Sequence, residues 1–261
     1  MAHNPQKKIK LYGFIVALSI LALLLILTVV SFPTRDVGIL FQKAEDQLEN
    51  RNQLTIPTKK QLDVPYLSQR EKYPTGCESV SATMLLKYWD FAISAERFID
   101  VYLPKGIAPY QGSDGKYIAD NPWECFLGNP YSEQGWGCYA PVILKALQTV
   151  LDGTTLEAKD LSGTSLNEVC ENYIAKDIPV ILWATIDMEP ARRSKSWKHL
   201  HDEKYTTWIS PMHVLVLTGY DQEYYYFNDP WQEKNTKYPK EQVRKAYLAL
   251  GRQAVAIVPK V

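Results

Sequence analysis

Cys77 follows the loop that starts at Gln69 and opens an apolar run that reaches Trp89. Pro74 and Gly76 stop the loop. From Cys77 the positions Val80, Met84 and Tyr88, with Leu85 beside them, recur at helical spacing. The spacing predicts a helix whose first turn carries the thiol. Backbone N–H groups there lack partners, and the positive end of the helix dipole faces the sulfur. Both favour the thiolate, the nucleophilic form, and an activated thiolate performs acyl transfer. The competing reading is a small buried hydrophobe, because free cysteines are mostly buried.

A nucleophilic thiol needs a histidine as proton shuttle, and the histidine needs a third group to fix its ring. The chain has four histidines. His3 precedes a long apolar segment, and His199 and His201 lie in a charged stretch. His213 begins His213-Val-Leu-Val-Leu-Thr-Gly-Tyr220, an aliphatic run that reads as a buried strand. Tyr224-Tyr-Tyr-Phe-Asn228 follows so closely that the two form a hairpin. If Tyr220 pairs with Tyr224, Leu215 faces Asp229 and His213 faces Trp231. Side chains alternate along a strand, so His213 and Asp229 then share a face as diagonal neighbours, about 7–8 Å apart. A slip of one residue sends Asp229 to the other face. The bland readings are a satisfied core histidine and an Asx-Pro turn at Asn228-Asp229-Pro230; the turn is compatible with the catalytic role.

Ordered segments along the chain then carry a resemblance. They are Val64 to Gln69, Thr75-Gly-Cys77-Glu78, Gly128 to Ser132, Gly135 to Pro141, Ile178 to Trp183, His213 to Asp221 and Asn228-Asp-Pro230. Together, from about Leu62 to about Ala256, the chain resembles the family thirty-nine-like branch of bacterial cysteine peptidases. These are similar to the enzymes that remove double-glycine leaders from bacteriocin precursors, and have a papain-like fold. The resemblance implies Cys77 as nucleophile, His213 as general base and acid, Asp229 as orienter and Gln69 in the oxyanion hole. Gln69 stands further upstream of the cysteine than in the leader-processing enzymes. A bacterial origin is likewise an implication of the resemblance.

The elements that position these groups read as follows. The 261 residues suffice for one domain and an additional segment. Residues 1–10 form a cytoplasmic tail with Lys7, Lys8 and Lys10, and residues 11–32 an uncharged apolar run. About 20 such residues span a bilayer, whereas a cleavable signal has a core of roughly 7–15 and a small-residue cleavage site. The run therefore reads as a single-pass signal anchor, although cleavage is an alternative. The lysines hold its start in the cytoplasm, so the C-terminal domain lies outside the cell. Residues 33–60 form a polar stalk and 61–261 the peptidase domain.

Within that domain, Ala140–Leu151 and Leu166–Ala175 read as helices, the second capped by Ser165. Cys170 points into the core. Ile178–Ala184 reads as a buried strand of the His213 sheet. Helices first and an antiparallel sheet afterwards give an α+β fold. Tyr102–Gly137 reads as a long ordered loop forming one wall of the substrate cleft, with Tyr110, Trp136 and Gly137 as substrate-binding residues. A plain surface cap is the alternative. Arg192 to Lys204 reads as a basic loop overhanging the cleft, or as an ordinary solvated face. His199-x-His201 without a third ligand is a weak metal pattern. Cys125 and Cys138 admit a disulfide outside the cell, but two reduced buried thiols are the simpler case.

Lys+Arg and Asp+Glu both number 29, which leaves no basic excess for nucleic acid. The expected partners are peptide or protein substrates, cell-wall-associated ones among them, and the membrane through the N-terminal segment. The chemistry needs no metal or organic cofactor. Transglutaminase-like acyl transfer and cell-wall amide cleavage use the same order of groups. A silent peptide- or glycan-binding module is the alternative outside enzymology.

Overall fold

The computed structural model describes residues 57–260. The expected tail, the apolar span and the stalk up to residue 56 lie outside the described residues. Among the described residues, no helix is long and apolar enough to cross a membrane.

Strand β1 (Lys60–Gln61) precedes helix α1 (Cys77–Tyr88). Helix α2 (Ala95–Arg97) runs into a π-helical turn at Phe98–Tyr102. Short strands β2 (Lys105–Gly106), β3 (Tyr110–Gln111), β4 (Tyr117–Ala119) and β5 (Phe126–Leu127) follow. Next come α3 (Ala140–Val150), β6 (Leu156–Asp160), α4 (Leu166–Asn172), β7 (Val180–Thr185), β8 (Arg192–His199) and β9 (Tyr205–Ser210). The chain then forms β10 (Met212–Tyr220), β11 (Tyr224–Asn228), β12 (Thr236–Pro239), α5 (Lys240–Ala249) and β13 (Ala254–Pro259).

The main sheet is antiparallel, in the order β12-β11-β10-β7-β13-β6, with β1 also paired to β10. Lys60, placed at the end of the stalk by sequence, pairs with Tyr220. Every residue of β7 is buried. Because alternate side chains point to opposite faces, both faces of the sheet are covered there. Helix α1 packs on β10, β7 and β13, whereas α5 packs on β7, β11 and β12. Helix α1 is buried from Cys77 through Leu86. A helix buried on all sides must satisfy its polar side chains internally. Two of the three buried hydroxyls are satisfied: Ser81 Oγ donates to the carbonyl of Val214 on β10 at 3.1 Å, and Thr83 Oγ1 to that of Ser79 at 2.8 Å, while Ser79 Oγ has no hydrogen-bond partner among the described residues.

The α+β expectation holds, and the predicted helices and strand are present within a few residues. Ser165 caps α4 in a reciprocal box with Glu168. The aromatic stretch 102–137 is ordered by short strands rather than being loop throughout: β2 pairs with β5, and β3 with β4. The expected basic loop is instead a strand. Arg192–His199 is β8, which pairs with β9 and, in parallel, with β4. Trp197 and His199 are buried on it while the arginines point outward. The density of charge hid this period-two alternation. The second sheet runs β3-β4-β8-β9.

Candidate active site

The geometry starts at Gly76, the cap position of α1. A Cβ there would lie 2.8 Å from Tyr73 Cβ, so the tight turn before the helix admits only glycine. Gly76 supplies no side-chain cap. The first-turn N–H groups beside Cys77 therefore have no capping side chain. Cys77 is 7 % exposed. The bond between Ser81 and Val214 fixes α1 against the strand that carries His213.

His213 and Asp229 are both buried, and His213 Nε2 lies 2.7 Å from Asp229 Oδ1. The pairing of β10 with β11 explains how they meet. Val216 pairs with Asn228 and Leu217 with Phe227, the register predicted for this part of the hairpin. Nearer the turn Tyr220 pairs with Tyr225 rather than Tyr224, and a bulge lies between Leu217 and Gly219. The Asp221 carboxylate accepts the N–H groups of Glu223 and Tyr224, which shapes the turn. The extra residue on β10 absorbs the one-residue error in the assumed turn, and Asp229 stays on the histidine's face.

Asp229 makes the contacts of both readings, the bond to His213 and the turn. Its Oδ1 also accepts the N–H of Trp231 at 2.9 Å, the turn reading, and its Oδ2 accepts the hydroxyl of Tyr238 at 2.8 Å. Burial pushes its carboxyl up, but the charge and hydrogen bond of His213, with those of Tyr238 and Trp231, outweigh this and hold it below its ordinary value. A carboxyl lowered by folding stabilises the fold above its ordinary pKa, and that stabilisation is lost as pH falls through the folded value. Tyr238→Phe is therefore expected to cost about 2 kcal/mol at pH 7 and less under strongly acidic conditions. Denaturant titrations at the two pH values check this.

Gln69 is buried between these groups. Its backbone N–H donates to the Pro230 carbonyl at 2.9 Å, next to Asp229. Its Nε2 donates to the Pro74 carbonyl at 3.1 Å, in the loop entering Cys77, and its Oε1 is buried without a partner. One hydrogen of the amide thus remains uncommitted.

Trp136 packs edge-on against Trp197 and Trp208, with centroids 5.5 and 5.8 Å away. Gly137, at φ +129°, lies so close to Glu78 Oε1 and Met212 Cε that a Cβ would come within 2.5 and 2.7 Å of them. Gly137 therefore lies against Glu78, the neighbour of Cys77, whereas Trp136 belongs to the aromatic cluster with Trp197 and Trp208. Tyr110 stands 45 % exposed on the edge strand β3. No hydrogen bond or ring contact among the described residues joins it to the other candidates.

Glu78 is the residue that motif reasoning passed over. It is fully buried; its Oε1 accepts the Cys138 N–H at 2.8 Å and its Oε2 accepts from Cys77 Sγ at 3.3 Å. Burial raises its carboxyl to about 7, against the opposing pull of the Cys138 N–H, its own backbone N–H, Cys77 and His213. Burial and the Glu78 carboxylate likewise push the Cys77 thiol well up, opposing the helix-end effect expected from sequence. A lone carboxylate on a helix with no other charge before Lys87 was the available signal.

The other cysteines are free thiols, and no disulfide joins Cys125 to Cys138. His199 Nε2 lies 2.8 Å from Thr206 Oγ1, and His201 Nε2 3.2 Å from Asp120 Oδ1. The two histidines thus serve separate partners. No group of three or more metal-ligating side chains occurs among the described residues.

The family model described as "Peptidase_C39 like family" matches residues 61–255. The chain belongs to the peptidase C39-like family. The uncharacterized protein YvpB of Bacillus subtilis (strain 168) is 28 % identical over 200 residues, 76 % of each chain. The crystal structure of a candidate C39-like peptidase from Bacillus anthracis superposes with a TM-score of 0.68 at 26 % identity, covering 78 % of this chain and 99 % of that one. These matches support the α+β C39-like peptidase fold and a peptidase function. A double-glycine motif protease from an AMS/PCAT transporter, solved with its leader peptide, aligns at a TM-score of only 0.36 and 18 % identity over 77 % of this chain and 95 % of that one.

Proposed function

We propose that this C39-like family member is a membrane-tethered cysteine peptidase, acting outside the cell through Cys77, His213 and Asp229. The observation that carries the reading is the buried 2.7 Å contact between His213 Nε2 and Asp229 Oδ1, on the strand to which the Cys77 helix is pinned. Asp229 holds Nε2, so Nδ1 is the nitrogen left for the thiol. His213 takes the thiol proton as Cys77 attacks the peptide carbonyl, then gives it to the leaving amine. The Cys77 backbone N–H and the uncommitted hydrogen of Gln69 Nε2 stabilise the oxyanion. Water attacks the thioester, and His213 accepts its proton. Trp136 and Gly137 wall the cleft, and Tyr110 belongs to its outer rim. The apolar run 11–32 anchors the chain, with the lysines before it on the cytoplasmic side of a bacterial membrane.

The test is to incubate the full-length chain with a peptide library and an added primary amine, reading products by mass spectrometry. Hydrolysed peptides that disappear with Cys77→Ala are expected. Exclusively amine-capped products would instead identify a transferase. No products of either kind, together with retained peptide binding, would identify a binding module.

A further inference from the structure

Glu78 shares the buried site with the nucleophile, yet the peptidase mechanism assigns it no task. Its carboxylate is fully enclosed. Four features of its surroundings point one way. Its two oxygens face different partners: Oε1 accepts the Cys138 N–H at 2.8 Å, and Oε2 accepts from Cys77 Sγ at 3.3 Å. Oε1 fills the space that Gly137 leaves by lacking a side chain, since a Cβ there would come within 2.5 Å of it. The segment that grips Oε1 is itself held, because Trp183 Nε1 donates to the Cys138 carbonyl at 2.9 Å. The titratable groups facing the carboxylate are Cys77 on its own helix, the Cys138 thiol on the covering segment and His213 on β10. Oε2 is thereby held beside the reacting sulfur in a fully buried position.

We propose that Glu78 gates the nucleophile: as a carboxylate it holds Cys77 as a thiol, and as a carboxylic acid it releases Cys77 to the ion pair with His213. The inference rests on the reading of Cys77 as nucleophile. The step balances as follows. In the closed state Cys77 S–H donates to the Glu78 carboxylate, and His213 is neutral. One proton from solvent then enters the site. In the open state Glu78 carries a proton on Oε2 and donates it to the sulfur, while the former thiol proton sits on His213. The closed site bears one more negative charge than the open one. Falling pH therefore opens the gate, and rising pH closes it. This is the opposite of an ordinary thiol, which gains reactivity as pH rises. The groups titrate together, so the midpoint belongs to the cluster. It is expected near the value of about 7 to which burial raises Glu78.

The experiment is site-resolved alkylation of the full-length chain with iodoacetamide, followed from pH 6 to pH 8 by peptide mapping. The Cys77 rate in wild type is expected to fall about tenfold over this range. Glu78→Gln keeps an acceptor for the Cys138 N–H and presents an N–H to the sulfur, so it mimics the open state. Its Cys77 rate at pH 8 is expected to stay within about twofold of that at pH 6. A Cys77 rate in wild type that rises through this range overturns the gate. So does a Glu78→Gln rate that falls with the wild-type midpoint. His213→Ala separates the two claims. If it leaves the wild-type Cys77 rate unchanged at pH 6, the nucleophile reading fails, and the gate with it. If it slows Cys77 but Glu78→Gln does not flatten the profile, only the gate fails. A measurement on wild type alone guards against a misfolded variant. Infrared difference spectra are expected to lose a protonated carboxyl band with the midpoint seen in the alkylation rate, and a carboxyl ionised throughout the range overturns the proposal.

Discussion

Replacing His213 with alanine is expected to lower kcat/KM for peptide hydrolysis about a thousandfold or more, with thermal stability much less affected. In the proposed mechanism the imidazole held against Asp229 is the base, and its loss removes both proton transfers of the cycle. Positioned acid–base groups contribute about 10² to 10⁴ in rate, and members of a cooperating set lose nearly the whole effect when one is removed. A thousandfold loss corresponds to about 4 kcal/mol of transition-state stabilisation. Asp229→Asn is expected to fall between wild type and His213→Ala. Its side chain can still bond the ring, but without the charge that favours the imidazolium. Initial rates on a peptide identified from the library, with thermal midpoints measured in parallel, check both. Equal losses of activity and of folded protein would assign His213 to the core instead.

Gly137→Ala is expected to destabilise the fold by about 3 kcal/mol. Two costs combine at this position. The backbone sits at φ +129°, a region that side-chain-bearing residues rarely adopt. The added methyl also meets Glu78 Oε1 at 2.5 Å and Met212 Cε at 2.7 Å. The end of the methionine can yield, but the carboxylate is pinned by the Cys138 N–H. For a domain of this size the thermal midpoint is expected to drop by about 10 °C. Gly153 provides the control: it has φ +70°, but a methyl added there would meet nothing within 4 Å. Gly153→Ala should therefore carry only the backbone cost, about 1 kcal/mol. Equal midpoints for the two variants would contradict the crowding at Gly137. Activity is expected to fall with Gly137→Ala as well, because the methyl pushes on both the cleft wall and Glu78.

The candidate site was legible where local chemistry leaves a local trace. Cys77 follows a Pro-Thr-Gly turn, His213 begins an aliphatic run, and Asp229 sits in an Asn-Asp-Pro turn, so each announces itself within a few residues. Their meeting depended on register, and there the sequence misled without harm. The turn shaped by Asp221 is one residue longer than assumed, and the bulge between Leu217 and Gly219 restores the pairing. A bulge of this kind has no strong sequence mark. What was hidden depends on distant chain. Glu78 reads as an ordinary acidic first-turn residue, favoured by the helix dipole. Its burial comes from Gly137 and Cys138, far along the chain, and no periodicity reports that contact. The run Arg192–His199 reads as loop because its charges mask the inward pair Trp197 and His199. Its neighbour β4 is a parallel partner from a remote part of the chain, a pairing that only the tertiary fold reveals.

The most direct test of the central claim is the rate at which each of the four cysteines is alkylated at pH 6 in the native full-length chain, in His213→Ala and in a denatured control. The account predicts that native Cys77 reacts far faster than Cys125, Cys138 and Cys170 and far faster than in the denatured chain, and that His213→Ala abolishes this advantage. Native Cys77 reacting no faster than its denatured counterpart would contradict it.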